Sequence, residues 1–159
     1  MTPATILTLH SHSLMIPNNQ VPCSPSVELN GFAYFPRMVE KIRLHAQGRL
    51  RADLHDNLGK GMDGWCCDIL QVAYDDLKAK TLSGSSDEEL LRWCEETGGA
   101  LNDSLKLVWN TFIHNFGRND RASAILVRRK AESGLSDRND IQTMAHYIDV
   151  DEGRDEGGR

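Results

Sequence analysis

The stretch that most limits how this chain can fold is residues 31–48, GFAYFPRMVEKIRLHAQG. Pro36 sets its own φ near the helical value and has no amide to leave unpaired, so it suits the first helical position, while it pushes Phe35 toward an extended conformation. A helix is expected from Pro36, ended by Gly48, which takes the left-handed position without a Cβ penalty. Phe32, Phe35, Val39, Ile42, Ala46 and Leu50 recur at three- and four-residue intervals and mark a core face. Arg37, Lys41 and His45 form a row on another face, with Arg43 beside it.

The same periodicity continues downstream. Residues 48–64 contain Gly59, Gly61 and Gly64 and read mostly as loop, with one short helical turn over 51–57. Helical pattern resumes at Asp63 with Trp65, Ile69, Val72 and Leu77, and periodicity leaves open whether 63–80 is one helix or two. Ser86-Asp87-Glu88-Glu89 is a capping box: the Ser86 hydroxyl accepts from the Glu89 amide and the Glu89 carboxylate reaches back to the Ser86 amide. That helix runs to Gly98-Gly99. Asn102 caps the next, whose stripe is Leu105, Val108, Trp109, Phe112, Ile113 and Phe116, with Gly117 ending it. Two more helices are expected, one over 120–133 burying Ala124, Ile125 and Val127 or the Arg128 stem, and one over 138–149 with Ile141, Met144, Ala145 and Ile148 inward. No two-period strand stands out. The expected fold is all-α, one compact domain of about six helices over residues 24–154. Residues 1–23, with Pro3, Pro17 and Pro22, read as a flexible arm, and 155–159 as a disordered tail.

Composition narrows the function classes. At 159 residues the chain suffices for one core. No run of 18 apolar residues is present, which removes a membrane-spanning helix, and the N-terminus lacks the basic region of a secretion signal. Cys23, Cys66, Cys67 and Cys94 show no repeated spacing, so reduced thiols in a cytoplasmic protein are expected rather than a disulfide framework or a zinc ribbon. Of the net charge of −5, the last eleven residues supply −3, so the body is close to balanced and carries no footprint of a general nucleic-acid binder. The basic run over 118–138 lacks aromatic interleaving and reads as a solvated helix face.

Other patterns resolve to ordinary readings. Cys66 and Cys67 diverge by about 100° on a helix, so they do not converge on one metal or substrate, and core thiols are expected. The ending DVDEGR from Asp149 has Arg154 where a calcium loop needs glycine. LGKGMDG does not satisfy a phosphate loop. His10-x-His12 lies in the arm and is incidental. No metal and no cofactor are expected.

GFAYFPRMVEKIRLHAQGRL, SDEELLRWCEETG, WNTF at 109–112 and DIQTMAHYIDVDEGR occur in this order and spacing, and together they resemble the bacterial domain-of-unknown-function family numbered 5069. The resemblance covers roughly residues 24–154. It implies a small cytoplasmic helical protein and no assigned activity. The family pattern falls on Gly31, Pro36, Arg37, Lys41 and Arg43, then on Asp87, Glu88, Trp93, Trp109 and Asn110, and finally on Asp140, Ile141, Asp149, Asp151, Glu152, Gly153 and Arg154. The family has a glycine-containing break between two short central helices, where this chain reads LQVAYDD over 70–76.

The basic row of Arg37, Lys41 and Arg43 is expected to pair with Asp149, Asp151 and Glu152, stapling the first helix to the last; holding a phosphate or carboxylate is the alternative. Trp65, Trp93 and Trp109 read as core, with ligand stacking by one of them as the alternative. Two functions follow. The first is a non-catalytic binding or protein-interaction module. The second is an enzyme or small-anion binder whose pocket between the first and last helices gathers Arg37, Lys41, Trp109, Asn110, Asp149 and Arg154.

Overall fold

The computed structural model describes residues 19–154, and its first regular element is a hairpin that helical periodicity conceals. Strands β1 (Glu28–Leu29) and β2 (Phe32–Ala33) pair antiparallel around Asn30-Gly31, whose φ values of 50 and 74° are those of a type I′ turn. The expectation of no strand is corrected here: each strand is two residues long, too short for alternation to register, and the Asn-Gly pair was the available signal.

Tyr34 follows the hairpin at φ 74°, a left-handed conformation unusual for an aromatic residue, and turns the chain into α1 (Phe35–Ala46). Helix α1 begins one residue before Pro36 and buries Phe35, Met38, Val39 and Ile42, while Ala46 is exposed at its end. The connection after it carries a 3-10 helix (Ala52–Asn57).

The region over 63–80 is two helices, α2 (Met62–Leu70) and α3 (Tyr74–Leu82), broken at Gln71, which is left-handed at φ 56° and does without the glycine of the family pattern. The capping box starts α4 (Asp87–Thr97) as expected, and the Asn102 side chain accepts from the Leu105 amide to start α5 (Asp103–Asn115). Val108 points to solvent, contrary to the expected stripe, because α5 buries only the narrower line of Trp109 and Ile113.

Helix α6 (Ser123–Glu132) buries Leu126, with Ala122 just before it, rather than Ala124, Ile125 or Val127, and the Arg128 side chain is also largely exposed. Asp120 accepts from the Gly117 and Ala122 amides, and this turn sets the helix phase. The last helix, α7 (Met144–Asp151), starts six residues later than expected because Thr143 caps it through the His146 amide while 138–142 form turns.

Helix α1 packs on α3, α5 packs on β2 and α7, and α6 packs on α7. The main core joins the hairpin to α1, α2, α3, α4 and α5, and a smaller cluster of Leu126, Ile141 and Tyr147 lies under α6 and α7. Cys66, Cys67 and Cys94 are buried free thiols. Gln20 forms a parallel bridge with Leu50, donating to Arg49 and accepting from Arg51, so the last residues of the expected arm are tied to the domain. Residues 1–18, His10 and His12 among them, and the tail over 155–159 lie outside the described residues.

Candidate functional site

A cavity of about 290 Å³ opens among α1, the 3-10 helix, the start of α2, and α6 and α7. Its wall is formed by three charged groups that the fold has buried against their natural preference.

The first is Lys41. Its Nζ lies 2.6 Å from Asp63 Oδ1 and 3.3 Å from the Tyr34 hydroxyl oxygen, and the Tyr34 hydroxyl donates to the same Asp63 oxygen at 2.6 Å. Asp63 sits in the first turn of α2, where the helix dipole favours a carboxylate. Its second oxygen accepts from the Gly59 amide at 3.0 Å. Glycine is required at 59: φ is +74°, and a Cβ would meet the Tyr74 ring at 2.8 Å. Burial lowers the pKa of Lys41 against the raising pull of Asp63. Burial, then the Asp63 charge, pushes the Tyr34 phenol well above its ordinary value.

Tyr34 is held in its left-handed conformation from behind. Asn110 Oδ1 accepts from the Ala33 amide at 2.9 Å, its amide nitrogen donates to the Gly31 carbonyl at 2.8 Å, and Trp109 Nε1 donates to the Ala33 carbonyl at 2.8 Å. Both backbone groups of Ala33 are thus fixed by α5, and from the next residue the Tyr34 phenol reaches Asp63 and Lys41. Strain of this kind persists only where surrounding structure over-determines it.

The remaining buried charges are Arg37 and Glu152. The guanidinium donates to both carboxylate oxygens of Glu152, at 2.9 and 2.5 Å, and also to the Cys23 carbonyl. Glu152 stands at the C-cap of α7, where a carboxylate opposes the helix dipole. Arg37 and Arg154 together offset that conflict, Arg154 also donating to Asp149 and the Pro22 carbonyl.

The sequence cluster is thus brought together only in part. Arg37, Glu152, Arg154 and Asp149 meet, joining α1 to α7. Lys41 pairs with Asp63 instead of the acidic ending, Arg43 reaches away to Asp87 and the Ser85 carbonyl, and Asp151 pairs with Arg51. Trp109 and Asn110 brace the hairpin and do not line the cavity. Asp63 and Tyr34 are the residues that sequence reasoning missed; an aspartate among glycines and a tyrosine in an apolar run carry no periodic signal.

The lining also has an apolar part. Trp65 and Phe116 meet edge to face with centroids 5.2 Å apart, and Met144 and Ile148 come from α7. Lys60 and Arg129 stand at the rim. A wider depression of about 490 Å³ along His45, Tyr74 and Lys78 has no buried charged group in its lining. Among the described residues no helix is long and apolar enough to cross a membrane. The family model for the domain of unknown function DUF5069 matches residues 19–154, and no curated protein matches the chain.

Proposed function

The chain belongs to the DUF5069 family, a domain of unknown function, and we propose that it binds a small amphipathic organic anion in the cavity between the first and last helices. The observation that carries this reading is a cavity whose lining combines apolar Trp65, Phe116, Met144 and Ile148 with accessible Lys60 and Arg129, beside the buried Lys41–Asp63 ion pair.

Stability alone does not favour such an arrangement. Removing an ion pair from water costs several kcal/mol per ion, and apolar side chains of like size often serve a core as well or better. A charged pair and a strained tyrosine kept at the wall of an opening are better matched to recognition. The space equals roughly ten water molecules at about 30 Å³ each, which suits a metabolite with a short apolar or aromatic body. Arg37 and Lys41 have carboxylate partners, so the anionic group of the ligand is assigned to the rim, where Lys60 and Arg129 are accessible. The protein-interaction reading has narrower support, the neighbouring Leu107 and Val108 exposed on α5.

A thermal-shift screen of alkyl and aryl carboxylates and phosphates tests the reading, run beside the cavity-filling variant Ile148→Trp. Carboxylates with an apolar body are expected to raise Tm of the wild type and to lose that effect in the variant. No shift from any anion overturns the assignment.

A further inference from the structure

Resting on this cavity reading, we propose that Lys41 captures its ligand covalently through a carbonyl carbon, as an iminium, so that the class held there is small organic anions bearing an aldehyde or ketone. The geometry that points to this is the triad of amine, carboxylate and phenol: Lys41 Nζ stands 2.6 Å from Asp63 Oδ1 and 3.3 Å from the Tyr34 hydroxyl, in the wall of a space that admits a ligand. Simple charge recognition does not need a phenol there, because Asp63 already neutralises Lys41.

Each step has a group in place. The Lys41 ammonium passes one proton to Asp63 across their contact, leaving a free amine and a neutral acid. The amine lone pair attacks the carbonyl carbon, the N–C bond forms, and the C=O π pair moves to oxygen. The Tyr34 hydroxyl accepts a proton from the new ammonium nitrogen and gives its own to that oxygen, producing a carbinolamine. Asp63 then returns its proton to the hydroxyl, the C–O bond breaks, water leaves into the cavity, and the nitrogen lone pair closes the C=N bond. The sum is one ammonium and one carbonyl giving one iminium and one water, with no oxidant or reductant.

Charge conservation favours this outcome at a buried site. The iminium is a cation in the place of the ammonium, and Asp63 ends as the carboxylate it began, so the wall keeps its balance and no unpaired charge is created. Burial also holds the pKa of Lys41 below its ordinary value, which raises the fraction of free amine relative to a surface lysine. Lys78 and Lys60, both exposed, lack this environment.

The test is reductive trapping on the full-length chain. Pyruvate and phenylpyruvate serve as carbonyl probes with sodium borohydride, and adducts are located by peptide mapping. One adduct is expected at Lys41, forming about tenfold or more faster than at Lys78, and absent in Lys41→Arg, which keeps a cation beside Asp63 but cannot condense. Phenyllactate, which lacks the carbonyl, is measured in parallel by thermal shift. If it stabilises the wild type while Lys41 takes no adduct, covalent capture is overturned and the binding cavity stands. If neither adduct nor shift appears, both fall. The wild-type map decides even if Lys41→Arg fails to fold.

Discussion

The Lys41 ammonium lies 2.6 Å from Asp63 Oδ1, with 5 % of the lysine side chain and none of the aspartate side chain open to solvent. Either partner alone would be a buried charge without its counter-ion. Lys41→Met and Asp63→Leu are each expected to cost about 3–5 kcal/mol, and the double variant less than their sum, because the penalty belongs to the stranded partner. Urea unfolding of the four proteins checks this, and additive losses would show that the pair is not coupled.

Asn110 holds the hairpin through the Ala33 amide and the Gly31 carbonyl. Asn110→Ala is expected to destabilise by about 1–3 kcal/mol, since it leaves the Ala33 amide without its acceptor. It should also weaken ligand binding without touching the cavity, because Tyr34 loses the backing that aims it. Unfolding together with a ligand titration measures both effects; unchanged affinity would separate Asn110 from the site.

Alkaline pH should unfold the protein. Burial raises Cys67 and Cys94 from 9.0 to about 12, raises Cys66 and Tyr34 well above their ordinary values, and so keeps these groups protonated in the folded state. A raised folded pKa gives stability that is complete below the unfolded value and lost as pH climbs toward the folded one. Each buried thiol should therefore forfeit on the order of 1 kcal/mol one pH unit above 9.0. Lys41, whose folded pKa is lowered, works oppositely, gaining stability as pH rises toward 10.5, but it is one group against several. Chemical denaturation from pH 7 to 10 should show a falling midpoint, and a flat profile would contradict the buried thiols.

Two backbone positions make opposite predictions. Gln71 is left-handed at φ 56° and exposed, so Gln71→Gly relieves more strain than it adds in unfolded-state entropy and should stabilise by roughly 0.5–1 kcal/mol. At Gly98 a Cβ would stand 2.0 Å from the Leu70 carbonyl oxygen, so Gly98→Ala should cost about 1–3 kcal/mol as α4 is forced from α2. Thermal unfolding of both variants tests the pair of signs.

Local signals carried most of the architecture. Pro36 marked the start of α1 to within a residue, and Ser86 and Asn102 capped α4 and α5 as their side chains require. The short hairpin escaped because two residues cannot show a period, and the face of α6 and the start of α7 differed because Asp120 and Thr143 set them through turn and cap bonds, while Ile141 and Ala145 are buried as expected. Within the site, Arg37 meets the acidic ending at Glu152. Lys41 was not matched to Asp63, since charge spacing on one helix says which face a cation occupies and nothing about which neighbour faces it.

The most direct test of the binding cavity is a calorimetric titration of the best carboxylate from the screen into wild type and Lys60→Glu/Arg129→Glu. Both residues stand at the rim, and Arg129 keeps 43 % of its side chain exposed, so their reversal leaves the buried pairs intact. The account predicts affinity about tenfold weaker or worse in the variant, a loss of roughly 1.4 kcal/mol. Equal affinity for the two proteins would contradict an anion seated in this cavity.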